Sequence, residues 1–283
     1  MQTFPRTTVG GVSMPRMIIG TNWLAGWSHR TPAADERIKR HHNAADSIVP
    51  LLETFAGNGV DAVMAPFGRV PQLADAVRET EQRLGKAIIR VDTPIVNVDD
   101  TAEGRREAAA TFRESRELGA AFCFLHHSSA EQLVNKNKGI IDRLDDYTQM
   151  IRGEGMIPGL SAHMPELIVY SDQNGYDVET YIQIYNCMGF LMQVEIETVA
   201  GIIWNARKPV MTIKPLAAGR VTPYVGLNFS WATLRPCDMV TVGCFDEHEA
   251  AEVLEISRAA LERRFPGLEP RQSPNQAQAA FGG

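Results

Sequence analysis

The stretch Phe122-Cys-Phe-Leu-His126-His127-Ser-Ser decides how this chain is read. Four apolar residues in a row suit a short strand covered on both faces, as in a parallel sheet. The run then ends in two titratable imidazoles. In a ring of parallel strands, the carboxyl ends of the strands are where chemistry is sited. Alternation sends Phe122, Phe124 and His126 to one side and Cys123, Leu125 and His127 to the other. With the two phenylalanines turned inward, His126 stands at the barrel mouth and His127 is expected against the helix layer.

Working outward, similar apolar runs recur at 17–23, 60–66, 87–92, 157–163, 180–186, 210–215 and 239–243. Helical patterns separate many of them. One has apolar positions Ile48, Leu51, Leu52 and Phe55 and stops at Gly57-Asn-Gly59; another spans 71–84 and is closed by Gly85. A third is expected to be capped by Asp99 or Asp100 and to end near Leu118-Gly119. Further helices are expected over 140–153, from Pro165, and over 193–206. The last opens at Asp246-Glu-His-Glu249, where Asp246 caps free amides and Glu249 can reach back. A hairpin around Gly10-Gly11 precedes everything. Eight strands alternating with helices over about 250 residues specify a single α/β domain, a (β/α)8 TIM barrel, across 1–265. Residues 266–283 are rich in Pro, Gln, Ala and Gly without periodicity, and a poorly ordered tail is expected there.

The net charge of −6 and the pI near 5.7 give no electrostatic footprint for nucleic acid or anionic membrane. The densest basic run, Arg37-Ile-Lys-Arg-His-His42, suits a solvated helix face or loop. No apolar run approaches the roughly 18 residues that span a bilayer. Cys123, Cys187, Cys237 and Cys244 form no paired motif, which points to reduced thiols and a cytoplasmic protein. The expected partner is a small molecule, and a homo-oligomer is compatible with the chain.

His126 is the first candidate for catalysis, because imidazole serves as acid, base or metal ligand near neutrality. The alternative is a histidine that satisfies a strand-end carbonyl. His163 ends the next strand, about 5 Å away, and Asp92 ends the strand on the other side. The three form either a divalent-metal set of His126, His163 and Asp92 or a metal-free hydrogen-bond network. Lys214, before Pro215, suits anion binding, ion pairing or Schiff-base chemistry. A long loop over 25–43 reads as a lid or as plain solvated chain. Asn22, Trp23, Trp27 and His29 could build an aromatic, hydrogen-bonding wall for a polar, carbohydrate-like metabolite. Asn186 could orient a substrate hydroxyl or cap its strand.

Several segments in order resemble the aldo-keto reductase superfamily: Ile18-Ile-Gly-Thr21, Phe122 to His126, Gly159-Leu-Ser161 with Pro165-Glu166, Gln183-Ile-Tyr-Asn186, Lys214-Pro-Leu-Ala-Ala-Gly219-Arg220 and Val240-Thr-Val-Gly243. The resemblance implies the TIM barrel. It implies that Ser161 and Gln183 hold a nicotinamide carboxamide if NAD(P) binds. The turn at strand eight lacks a Lys or Arg for a ribose phosphate, but Arg220 and the helix N-terminus after Gly243 could hold an anion through free N–H groups and the helix dipole. The resemblance also implies a tetrad of Asp, Tyr, Lys and His, from which this chain departs. Phe67-Gly68 stands where the tyrosine is expected, Ala62 (or its neighbour Asp61) near the aspartate, and Arg90 and Asp92 on the strand that supplies the lysine. Ala162 replaces the asparagine beside the serine, and Ile213 the stacking aromatic. Only His126 matches. The departures point to non-redox acid–base chemistry (isomerase, epimerase, lyase or hydrolase), with a divergent NAD(P)H-dependent oxidoreductase as the alternative and a non-catalytic binding protein as a third reading.

Overall fold

The computed structural model describes residues 3–268. The tail expected over 266–283 therefore lies, beyond residue 268, outside the described residues. β1 (Arg6–Val9) and β2 (Val12–Pro15) pair antiparallel, and Gly10 and Gly11 between them both take positive φ. β3 (Met17–Gly20) leads into α1 (Asn22–Ala25) and α2 (Pro32–His41), and α3 (Val49–Gly57) returns to β4 (Ala62–Ala65). Then come α4 (Pro71–Leu84), β5 (Ile89–Asp92), α5 (Ala102–Glu117), β6 (Ala120–Leu125) and one turn of α6 (His127–Ala130). A two-residue-wide hairpin, β7 (Val134–Asn135) and β8 (Ile140–Ile141), precedes α7 (Leu144–Gly153) and β9 (Ile157–Ala162). The chain continues through α8 (Glu166–Asn174), β10 (Tyr181–Ile184), α9 (Ile196–Asn205) and β11 (Val210–Ile213). α10 (Pro223–Thr233), β12 (Met239–Gly243) and α11 (Glu247–Glu262) complete it.

Strands β3, β4, β5, β6, β9, β10, β11 and β12 close into one ring, and each neighbouring pair is parallel. This is the (β/α)8 barrel expected from the apolar runs. Side-chain alternation splits the core into two layers. Ile18, Ala62, Met64, Val91, Phe122, Phe124, Ile182, Met211 and Met239 fill the interior, and Val9 and Met14 of the hairpin plug the same cluster from the amino-terminal end. Ile19, Val63, Ala65, Cys123 and Leu125 face the helices. Interior packing explains one glycine: a Cβ on Gly159 would lie 2.2 Å from the Phe124 ring. Phe124 therefore occupies the space that any larger residue at 159 would need.

Local chemistry corrects several expectations. The stretch over 25–43 is not plain loop: Thr31 caps α2 by accepting from the Ala34 amide, and Pro32 opens it. Thr101, not Asp99 or Asp100, caps α5 through the Gly104 amide. Residues Ile140–Ile141 are strand, so that helix begins only at Leu144. α10 had no legible signal, because Tyr224 and Val225 are exposed while Leu227 and Trp231 are buried, leaving no one-sided apolar stripe. Asp246 and Glu249 behave as expected: Asp246 accepts from the Glu249 amide, and Glu249 accepts from the Phe245 amide. Among the described residues no helix is long and apolar enough to cross a membrane.

Candidate functional site

A cavity of about 780 Å³ opens at the carboxyl ends of the ring strands. That is the size of a small-molecule site, at the end of the barrel where such sites form. His126, His163, Lys214, Asn22, Trp23, Trp27, His29, Ser161, Arg220 and Gly243 all line it, as the sequence suggested.

His126 lies one residue beyond β6 and caps α6 with its own side chain. Its Nδ1 accepts from the Ser128 amide at 3.3 Å and sits 2.7 Å from Ser128 Oγ. With Nδ1 serving as acceptor, the proton of the neutral ring belongs on Nε2. Burial lowers the His126 pKa to about 4, helped by His127, Arg69 and Lys214. His163 is lowered further, to about 3, by burial and then by Lys214 and His127. Both rings are therefore neutral at pH 7.

His127 does not face the helix layer. β6 ends at Leu125, so helical geometry replaces strand alternation, and His127 turns into the cavity. Its ring stacks on His163 with centroids 3.6 Å apart, and His126 lies 4.2 Å away. Glu131 backs this row: its Oε1 accepts from the His163 and Met164 amides at 2.6 and 3.0 Å, and its Oε2 lies 3.9 Å from His127 Nδ1.

Lys214 follows directly on β11 with φ of 61°, a left-handed conformation unusual for lysine. Burial lowers its pKa to about 8, so charged and neutral amine coexist near neutrality. His29 is also shifted down, by burial and then by Lys214. Its Nε2 is 3.4 Å from Asn22 Nδ2.

Three expected site residues do not reach the cavity. Asp92 follows Val91, whose side chain takes the interior, so Asp92 faces the helices. Its Oδ1 accepts from the Phe67 amide at 3.0 Å, and burial raises its pKa against hydrogen bonds that include one from Ser115 on α5. The set of His126, His163 and Asp92 is consequently not assembled, and among the described residues no group of three His, Cys, Asp or Glu could hold a metal. Asn186 shapes its own loop: Oδ1 accepts from the Met188 and Phe190 amides while Nδ2 donates to the Phe190 carbonyl. Gln183 is fully buried beside Ala162, donates to the Ile184 carbonyl, and leaves its Oε1 without a partner.

The departures from the reductase tetrad hold in three dimensions. Phe67 is buried in the outer core and Ala62 in the interior. Asp61 cannot stand in, because it lies at the opposite end of the barrel between Arg6 and Lys86, each 2.8 Å away. Arg90 is taken by Glu81 at 2.7 Å.

Residues that the sequence did not single out complete the wall. Arg69 lines the cavity with its guanidinium 5.7 Å from the centre of the Trp27 ring. Arg30 lines it next to Gly219. Thr241 lines it with a buried hydroxyl that has no partner. No motif marks such residues; only the convergence of loops from distant strands does.

No family model matches the sequence, and no curated protein matches it. Solved structures do. A Pseudomonas aeruginosa protein assigned to the aldo-keto reductases superposes with a TM-score of 0.64 at 14% identity, over 90% of this chain and 95% of that one. An aldo-keto reductase from Klebsiella pneumoniae, in complex with NADPH, gives 0.61 at 15% identity over 98% and 94%. The holo form of a Bacillus halodurans aldo-keto reductase gives 0.58 at 9% identity over 95% and 99%. The chain thus has an aldo-keto-reductase-like (β/α)8 barrel; at these identities the likeness is one of fold.

Proposed function

We propose that the protein is a nicotinamide-dependent oxidoreductase of small carbonyl or hydroxy compounds in which Lys214 takes the place of the missing tyrosine as proton donor. The observation that carries this is Lys214 itself: a partly buried amine, with a pKa near 8, in a cavity it shares with the neutral ring of His126. A proton donor works best with a pKa near the operating pH. The reductase neighbours favour this reading over the non-redox one suggested by the missing tetrad.

The cavity wall suits a dinucleotide. It runs from His126 and Ser161 past Lys214 to Gly219, Arg220, Thr241, Gly243 and the first turns of α11. Ser161 would hold the carboxamide without help from Gln183, the unpaired Thr241 hydroxyl offers a further polar contact, and Arg220 would meet the diphosphate. When bound, the nicotinamide supplies or accepts hydride. Lys214 Nζ gives its proton to the substrate oxygen, and His126 Nε2–H orients that oxygen by a hydrogen bond. Trp23 and Trp27 exclude water from the mouth.

Titration with NADH and NADPH, followed by quenching of tryptophan emission, tests the reading directly, since Trp23 and Trp27 line the cavity. Saturable quenching and cofactor oxidation with a panel of aldehydes are expected. No quenching by either nucleotide would refute it. The acid–base reading is favoured by one specific observation, the loss of the tyrosine and lysine of the tetrad; cofactor-free exchange of a substrate C–H in D2O would be its signature.

A further inference from the structure

The charges at the cavity are unbalanced in a protein whose net charge is −6. Arg30, Arg69, Lys214 and Arg220 all line it. Among the described residues, none of the four has a carboxylate within ion-pairing distance. The nearby acids are already engaged or distant from the histidines. Glu131 is held by the His163 and Met164 amides, Asp35 by Ser28, and Glu249 by the Phe245 amide, with Glu252 beside it on α11.

The four cations divide by position. Arg220 stacks on Phe190 at 4.1 Å and donates to the His29 carbonyl, on the side the dinucleotide would occupy, with Arg30 nearby at Gly219. Arg69 comes from the opposite wall, in the turn between β4 and α4, where Trp27 supports its guanidinium. Arg69 and Lys214 both act on His126, opposing its protonation. His126 therefore sits within the field of two unpaired cations from different walls.

We propose that the substrate carries a compact oxyanion, a carboxylate or a phosphate, which Arg69 and one N–H of Lys214 clamp in front of His126, leaving another Lys214 N–H for the reacting oxygen. This deepens the oxidoreductase reading by naming its substrate class, and it rests on that reading for the reaction. A guanidinium supported on one face keeps its N–H fork for a planar or tetrahedral oxyanion, and such charge-assisted contacts are the strong ones. The anion also removes a repulsion. After burial, Lys214 opposes protonation of His29, His126 and His163, Arg69 adds to this at His126 and Arg220 at His29, and Glu131 or Asp35 moderates it. An anion at their centre raises the pKa of Lys214, His126 and His163. Binding then takes up protons, and affinity increases as pH falls through about 8 and towards 4.

Calorimetric titration of the full chain with sodium phosphate and, separately, sodium acetate tests this at pH 7 in two buffers of different ionisation heat, with acetamide as the neutral control. Saturable binding of at least one anion, net proton uptake and no binding of acetamide are expected; which anion wins identifies the head group. Arg69→Ala should weaken that binding about tenfold or more, Arg69→Lys should recover part of it, and the surface variant Arg78→Gln should leave it unchanged. Absence of saturable binding, or unchanged affinity in Arg69→Ala, overturns the clamp. If Arg220→Ala alone abolishes anion binding, the anion occupies the diphosphate position and the clamp is likewise overturned. NADH titration of the same proteins separates the two readings. Anion binding through Arg69 without NADH binding removes the oxidoreductase assignment and keeps the clamp, and the reverse result removes the clamp alone.

Discussion

The two ends of the barrel treat charge in opposite ways. At the amino-terminal end several ions are paired. Asp61 lies between Arg6 and Lys86, Glu81 binds Arg90, and Arg152 reaches both Asp177 and Glu179. Asp238 is completely buried and accepts from Arg235 and from the Val210 amide. At the carboxyl end, Lys214 and three arginines line a cavity without ion-pair partners, and His126 and His163 stay neutral. Paired charges at one end are there for the fold, since a buried ion is tolerated only when compensated. At the other end Arg30, Arg69 and Arg220 are exposed and solvated, so only the partly buried Lys214 is left with an uncompensated burial cost.

The sharpest way to break this contrast is Lys214→Met. Turnover should fall by about 10²- to 10⁴-fold, the usual worth of a positioned proton donor. Thermal melting at pH 7 should show a stability equal to or above that of the wild type, because an unpaired, partly buried cation has been removed. A lower melting temperature with unchanged turnover would place Lys214 among the structural residues instead.

Asp238→Ala makes the complementary test at the other end. It leaves Arg235 and the Val210 amide uncompensated and should cost about 3–5 kcal/mol in denaturant unfolding. Nucleotide and anion affinities of the folded fraction should be unchanged. Acid comes next in size. The folded pKa values of His126 and His163 lie below the ordinary value of 6.5. The unfolded chain therefore binds protons that the folded chain refuses, and stability is lost as pH falls from about 6.5 towards 4 and 3. Denaturant unfolding at pH 7, 5 and 4 should show this loss, and His163→Gln should flatten it. The smallest effect is expected at the exposed Arg78–Asp75 pair on α4. Arg78→Gln should change stability by no more than about 1 kcal/mol.

The barrel was legible because strand periodicity is local. Phe122 and Phe124 go inward and Cys123 and Leu125 outward by alternation alone, and His126 follows at the mouth. The same rule failed one residue later, at His127, because the strand had already ended and a helical turn had begun. It also set Asp92 at the right height but on the wrong face, since position along a strand says nothing about the mouth unless parity is counted from an interior neighbour such as Val91. Arg69, Arg30 and Glu131 carried no signal, because each sits in a loop or short turn whose path depends on what packs beneath it.

By itself the sequence determined the eight-stranded ring, the end at which the cavity opens and His126, His163 and Lys214 that reach it, because apolar alternation and strand-end position are properties of neighbouring residues. Only the tertiary structure decided that Asp92 turns away, that three imidazoles lie in a row and that four cations share one cavity unpaired. Those facts depend on distances between residues far apart in the chain, and on burial, which no local pattern encodes.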